Sequence, residues 1–280
     1  MPLLLQMIQS TIGLLAPAVS SMMPSIQKPP IPTMKAVTIK GNKLVVVEDV
    51  KQPVLQETTD AIVRIVVTTI CGSDLHLYHK NVPSINNGDI LGHEGVGIVE
   101  AVGPSVQHIK VGMKVVISAV IAEGSCEFCQ KGEFSLCDHT NNSELMKYSY
   151  GQRTAGVFGY ANIAGGYPGL QCQFARIPFA DMNLLPIPTD VAVPDDRLIL
   201  LSDVMCTAWH GCELGNVFPG SVVAIWGAGP VGLMTARLAF HRGAKTVISI
   251  DCISERLQIA QSLGCITVNF GNVNVRSCLL

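Results

Sequence analysis

The run Ser221-Val-Val-Ala-Ile-Trp226 is apolar and strand-like, and it passes at once into Gly227-Ala-Gly229-Pro230-Val231-Gly232. A helical pattern follows from Pro230 to His241. A G-x-G-x-x-G by itself is a weak signal; set between a strand and a helix it constrains the fold strongly. The glycines make the tight turn, let backbone amides approach a pyrophosphate, and let helix and strand pack closely. The helix then offers its unpaired N–H groups and positive dipole end to phosphates. A second strand, Thr246 to Ile250, ends at Asp251, 19 residues past Gly232. That spacing suits a carboxylate that holds adenosine ribose hydroxyls and repels a 2′-phosphate, so NAD is expected rather than NADP. Arg256 stands close enough to reach the ribose edge or to remain a solvated helix residue. The chain is therefore expected to be α/β, with a doubly wound parallel sheet. After a helix from Glu255 to Leu263 and a strand from Cys265 to Phe270, only the first mononucleotide half is encoded. The tail GNVNVRSCLL does not read as its continuation, which leads us to expect a C-terminally truncated chain.

Upstream, the pattern is different. From Met34 onward come short β-rich runs, MKAVTIK, KLVVVEDV, AIVRIVVTTI, GVGIVEAVG and KVVISAV, separated by Gly, Pro and Asn punctuation. They predict a compact β-barrel-like domain, with a sandwich as the alternative. Apolar residues make up 48% and charged ones 14%, enough apolar material for a sizeable core. The net charge of −2 gives no reason to expect nucleic acid or an anionic membrane surface as partner. Ten cysteines in so core-rich a chain fit a reducing, cytoplasmic compartment better than a disulfide framework. Residues 1 to 33 are apolar, then proline-rich, with Lys28 as their one basic residue; they read as a loosely ordered extension rather than a targeting signal.

Residues 68 to 97 hold the reactive side chains. Cys71 offers a thiolate and His93 an imidazole, ligand types that zinc takes where it does chemistry. Cys71, Ser73 and His76 are spaced C-x-S-x-x-H. A hydroxyl two residues from a ligand, with a histidine three further on, is what carrying an alcohol proton away from a metal requires. Taken singly, Cys71 reads as a small buried hydrophobe and the histidines as structural; together, with the glycine turn behind them, they read as a metal site. A helical pattern from Leu198 to Gly215 adds four candidate ligands: Asp203, Cys206, His210 and Cys212. Farther back, Cys126, Cys129 and Cys137 cluster with metal-like spacing.

Gly92-His93-Glu94, with Gly97, Gly103 and Val106, resembles the signature of the zinc-containing medium-chain alcohol dehydrogenases, in particular their formaldehyde-dehydrogenase-like fungal and bacterial branch. The resemblance covers Met34 to about Phe270. It implies a GroES-like β-barrel catalytic domain over residues 34–205 and a partial NAD-binding Rossmann domain over 206–280. It also implies a third catalytic zinc ligand four residues before a threonine that borders the nicotinamide. Thr207 fits that threonine and Asp203 the ligand, with Cys206 as runner-up and His210 as a supporting residue. Glu94, beside His93, is expected to tune the metal or to join it transiently as a fourth ligand. Members of the family carry C-x2-C-x2-C-x7-C around a structural zinc. Here Glu123 stands in the first position, so three thiolates and a carboxylate are expected to hold the second ion. The activity so implied moves a hydride between a primary alcohol or aldehyde and NAD, with Ser73 taking the proton and His76 relaying it. Family members pair into oligomers, so a homo-oligomer is a further expectation. A catalytically inactive zinc-binding remnant is the alternative; a zinc-independent quinone-reductase relative is disfavoured by the ligand set. Residues 141 to 179 show no strand period before Cys172 and are expected to be a long connection, either a wall of the substrate pocket or a surface insertion.

Overall fold

A computed structural model describes residues 32–272. The expectations for residues 1–31 and for the tail from 273 lie outside the described residues. Alternating patterns upstream form antiparallel strands, as period-2 sequences do when one face is buried. Strands β1 (Thr33–Gly41) and β2 (Leu44–Lys51) make a hairpin. Strands β3 (Ala61–Thr68), β4 (Gly95–Val102), β5 (Lys114–Ile117), β8 (Phe174–Ile177) and β9 (Leu184–Pro186) form one antiparallel sheet in the order β8-β3-β4-β5-β9. Two register shifts between β3 and β4, at Ile62/Val63 and Ile65/Val67, mark bulges. Bulges bend and twist a sheet, here around a core of Val63, Val99, Val115, Ile117, Phe158, Leu170 and Ile177. The short pair β6 (Val120–Ile121) and β7 (Gly156–Val157) lies beyond it.

The predicted connection at 141–179 is more ordered than its composition suggests. Helix α2 occupies Glu144–Tyr150; Ser143 Oγ accepts the Met146 N–H at 3.1 Å, and Gly151 ends the helix at φ 77°. Ser143 followed by Glu144 was a readable cap that the glycine and asparagine content around it obscured. Phe158 and Leu170 from this stretch are 1% and 0% exposed, so its later part belongs to the core, while α2 has no buried residue and lies on the surface.

At the C-terminal side, β10 (Val222–Trp226), β11 (Thr246–Asp251) and β12 (Ile266–Asn269) run parallel in the order β10-β11-β12. Helices α4 (Pro230–His241) and α5 (Ser254–Ser262) form the two crossovers. The turn after β10 works because Gly232 lacks a side chain: a Cβ there would lie 1.8 Å from the Gly227 carbonyl oxygen. Among the described residues, the other two helices of seven or more residues are α1 (Gly72–Tyr78) and α3 (Val204–Leu214). The single helical run expected from Leu198 is broken. A 3-10 turn spans Ile199–Leu201, and Asp203 sits outside the helix at φ −145°, ψ −64° before α3 starts. Among the described residues, no helix is long and apolar enough to cross a membrane.

Candidate metal and cofactor sites

Three distant pieces of chain converge at the first site. Cys71 ends the segment after β3 and begins α1, where Asp74 Oδ2 accepts the Cys71 N–H at 2.9 Å. His93 and Glu94 precede β4 and are 4% and 2% exposed. Asp203 enters from the break before α3. One ligand atom from each of Cys71, His93, Glu94 and Asp203 lies within 4.8 Å of the others. His93 Nε2 is 3.4 Å from Asp203 Oδ2, 4.0 Å from Glu94 Oε1 and 3.3 Å from Ser73 Oγ. The Cys71 thiol points at Asp203 Oδ2 across 3.8 Å. Hydroxyls hold the two carboxylates from behind: Thr69 Oγ1 donates to Glu94 Oε2 at 2.6 Å, and Thr207 Oγ1 donates to Asp203 Oδ1 at 2.7 Å.

The electrostatics of this cluster are those of acidic groups gathered around an imidazole. Burial pushes the His93 imidazolium down, but its bond to Asp203, with Cys71 and Asp74 adding to it, overrides burial and holds the group up at about 10. The same bond to His93 lowers the Asp203 carboxyl against its own burial. Sulfur, nitrogen and carboxylate oxygens at these separations are a donor set suited to zinc. On the far side of the imidazole, His93 Nδ1 and Asp74 Oδ1 are buried, face each other across 3.7 Å, and have no hydrogen-bond partner. That geometry is the carboxylate–histidine arrangement that orients a metal-ligating ring. Burial raises the Asp74 carboxyl, opposed first by His93 and then by the N–H groups of Cys71 and Gln171. Asp74 and Gln171 did not emerge from the sequence; an acid three residues after Cys71 was the one local hint.

The remaining candidates fall apart spatially from this cluster. Cys206 is exposed and donates to the Leu201 carbonyl at 3.2 Å, so the runner-up ligand does not join the group. His210 pairs with Glu213 at 3.8 Å, and Cys212 packs in the core beneath the parallel sheet. His76 is exposed on α1, one turn beyond Ser73. Tyr160, from the 141–179 stretch, stands edge-on to His93 with ring centroids 6.5 Å apart.

A second cluster joins Glu123, Cys126, Cys129 and Cys137, again with ligand atoms within 4.8 Å of one another. The three thiols are 7%, 5% and 0% exposed. Glu123 Oε1 accepts the Ser125 N–H at 2.8 Å and the Cys126 N–H, and Oε2 accepts from Ser125 Oγ at 2.7 Å. These bonds fix the carboxylate facing the thiols. Burial pushes Cys129 up to about 11, whereas at Cys137 backbone N–H groups outweigh burial and lower it. The donor set suits zinc here too.

At the glycine turn, Gly227 has φ 92°, and a Cβ built on Gly229 would meet nothing within 4 Å, which leaves open space in front of the helix start. Pro230 occupies the first turn of α4, where its missing N–H costs nothing, and Val231 follows it. Asp251 is 5% exposed. Its Oδ2 accepts the Ala228 N–H at 2.7 Å, and Oδ1 accepts those of Cys252 and Ile253 at 2.7 and 2.9 Å. The Ala228 bond leads in holding its carboxyl below the usual range, so it is ionised at neutral pH. Arg256 Nη1 lies 3.8 Å from it.

The chain is similar to known proteins in sequence and in fold. The alcohol dehydrogenase GroES-like domain family matches residues 57–189. A zinc-type alcohol dehydrogenase-like protein of Schizosaccharomyces pombe is 42% identical over 230 residues, 82% of this chain and 54% of that protein. A glutathione-independent formaldehyde dehydrogenase of Bacillus subtilis is 35% identical over 84% of this chain and 59% of its own length. Among solved structures, the alcohol dehydrogenase TADH from Thermus sp. ATN1 superposes with a TM-score of 0.77 at 39% identity, over 86% of this chain and 64% of that one. The chain thus spans a little over half the length of these curated relatives. The β-rich half is GroES-like, the parallel sheet is a partial Rossmann sheet, and the chain belongs to the zinc-containing medium-chain alcohol dehydrogenase family.

Proposed function

We propose that this protein is an oxidoreductase of the formaldehyde-dehydrogenase-like branch, interconverting a primary alcohol and its aldehyde with NAD. The observation that carries the reading is the convergence of Cys71, His93, Glu94 and Asp203 within 4.8 Å. Cys71, His93 and Asp203 would hold the catalytic zinc, with Glu94 as an exchangeable fourth donor. Glu123, Cys126, Cys129 and Cys137 would hold a structural one. Bound in these places, zinc supplies Lewis acidity at an alcohol or carbonyl oxygen, and NAD supplies the hydride acceptor. The chain's own residues do the rest. Ser73 Oγ, 3.3 Å from His93 Nε2, is placed to take the alcohol proton, and exposed His76 passes it to solvent. Thr207 keeps Asp203 turned toward the cluster and would border the nicotinamide. Gly227, Gly229, Pro230, Val231 and Gly232 would cradle the pyrophosphate at the start of α4, and Asp251 and Arg256 would hold the adenosine ribose. The relatives named for alcohols and formaldehyde support a small alcohol or aldehyde as substrate. We place the division between the catalytic and cofactor domains at 205/206. The free thiols of the described cysteines suit a cytoplasmic setting.

Metal analysis of the purified chain, followed by alcohol-dependent NADH formation, tests the reading. Two zinc ions per chain and turnover that disappears in Asp203→Ala are expected. Zinc without turnover would instead identify the inactive zinc-binding form, and no zinc at the Asp203 cluster would end the proposal.

A further inference from the structure

Gln171 is 7% exposed and stands behind the first metal cluster, outside the ligand set. Both hydrogens of its side-chain amide are used: Nε2 donates to the Thr69 carbonyl and to Asp74 Oδ2, each at 3.0 Å. Asp74 Oδ2 also takes the Cys71 N–H at 2.9 Å, so two donors aim at this oxygen. The carboxylate is thereby turned so that Oδ1 faces His93 Nδ1 at 3.7 Å. A proton on Nδ1 answers that carboxylate and leaves Nε2 toward Ser73, Glu94 and Asp203. The backbone of Gln171 is pinned as well: its N–H donates to the Leu91 carbonyl at 2.9 Å, and its carbonyl accepts from Val37 N at 2.8 Å. Its side chain also explains the glycine that precedes His93. A Cβ on Gly92 would lie 2.5 Å from Gln171 Cγ, and Gly92 has φ 90°. The glutamine therefore touches both the carboxylate partner of the ligand ring and the backbone next to it.

We propose that Gln171 is a positioning residue for the metal ligand His93, acting through Asp74. This rests on Cys71, His93 and Asp203 being a metal site. A merely structural role, filling space and satisfying the Thr69 carbonyl, would produce losses independent of Asp74. A double-mutant cycle separates the two. The full chain is stripped of metal and titrated with Co²⁺ against a chromogenic chelator, with the three-thiol cluster as internal control. Gln171→Met should weaken uptake at the first site 10- to 100-fold, about the loss usual for an outer-shell partner. Asp74→Asn should weaken it by a similar factor, and the double variant should bind no worse than Asp74→Asn alone. Gln171→Glu, which sets an acceptor against Asp74, should behave like Gln171→Met while keeping the volume behind Gly92 filled. Affinity at the three-thiol cluster should not move in any variant. Wild-type affinity in both Gln171 variants, or losses that multiply in the double variant, would overturn the positioning role while leaving the metal site standing. Cobalt uptake by the wild-type chain at the three-thiol cluster alone would overturn the metal site and the positioning with it.

Discussion

Replacing Gly232 by alanine tests the glycine turn most sharply, because two opposing effects have different sizes. Gly232 is the third residue of α4, where alanine gains about 1 kcal/mol of helix propensity over glycine. Against this, the new Cβ would lie 1.8 Å from the Gly227 carbonyl oxygen and 3.5 Å from Ile225 Cγ2. Ordinary carbon–oxygen contact needs well over 3 Å, so backbone and not a flexible side-chain tip must move by more than an ångström. Overpacking of that kind costs roughly 3 kcal/mol at the upper end of its usual range, which leaves a net loss of about 2 kcal/mol. Gly229→Ala is the matched control: its φ of −73° suits alanine, and the Cβ meets nothing within 4 Å. That variant should keep wild-type stability, within about 0.5 kcal/mol, yet bind NADH more weakly, because the methyl group enters the space facing the pyrophosphate. Urea denaturation gives the stabilities, and quenching of the fluorescence of Trp226, at the end of β10, gives the affinity. Equal stability of Gly232→Ala and wild type would refute the argument that helix and strand approach too closely there for a side chain.

Metal uptake should release protons. His93 is held at about 10 in the metal-free protein against 6.5 when unfolded, so near pH 7 it must lose a proton when zinc takes Nε2; zinc titration in weakly buffered solution should acidify it, and an unchanged pH would contradict the assignment. Because that folded value is raised, the stability His93 contributes to the metal-free form is complete below about pH 6.5 and fades as pH rises through about 10, which urea melts of chelated protein across that window should follow. Asp251→Asn should weaken NADH binding and narrow the preference for NADH over NADPH, measured as the ratio of their dissociation constants; an unchanged ratio would remove Asp251 from cofactor selection. Ser143→Ala should cost about 1 kcal/mol of stability through the lost α2 cap, with zinc content unaltered.

What the sequence determined alone is what local chemistry can encode. The strand–glycine–helix passage specifies its own turn, because clash and dihedral limits act within a few residues of Gly227, Gly229 and Gly232. The three cysteines after Glu123 are readable for the same reason: their spacing places thiols on one short excursion of chain. The alternation of the β-rich runs marked β1 through β5, since a strand buries every second residue. The stretch from 141 to 179 misled for a physical cause: glycine and asparagine suppress periodicity, while the contacts that bury Phe158 and Leu170 come from elsewhere in the chain. The choice among Asp203, Cys206 and His210 was likewise beyond local pattern, as all three lie on one helical-looking run. Tertiary structure separates them, by breaking that run at Asp203 and bringing this side chain, and neither of the others, to Cys71 and His93. It alone could also bring Gln171 and Asp74 behind the imidazole, because an amide reaching a carboxylate 97 residues away leaves no trace in the spacing of either stretch and depends wholly on how the strands between them pack.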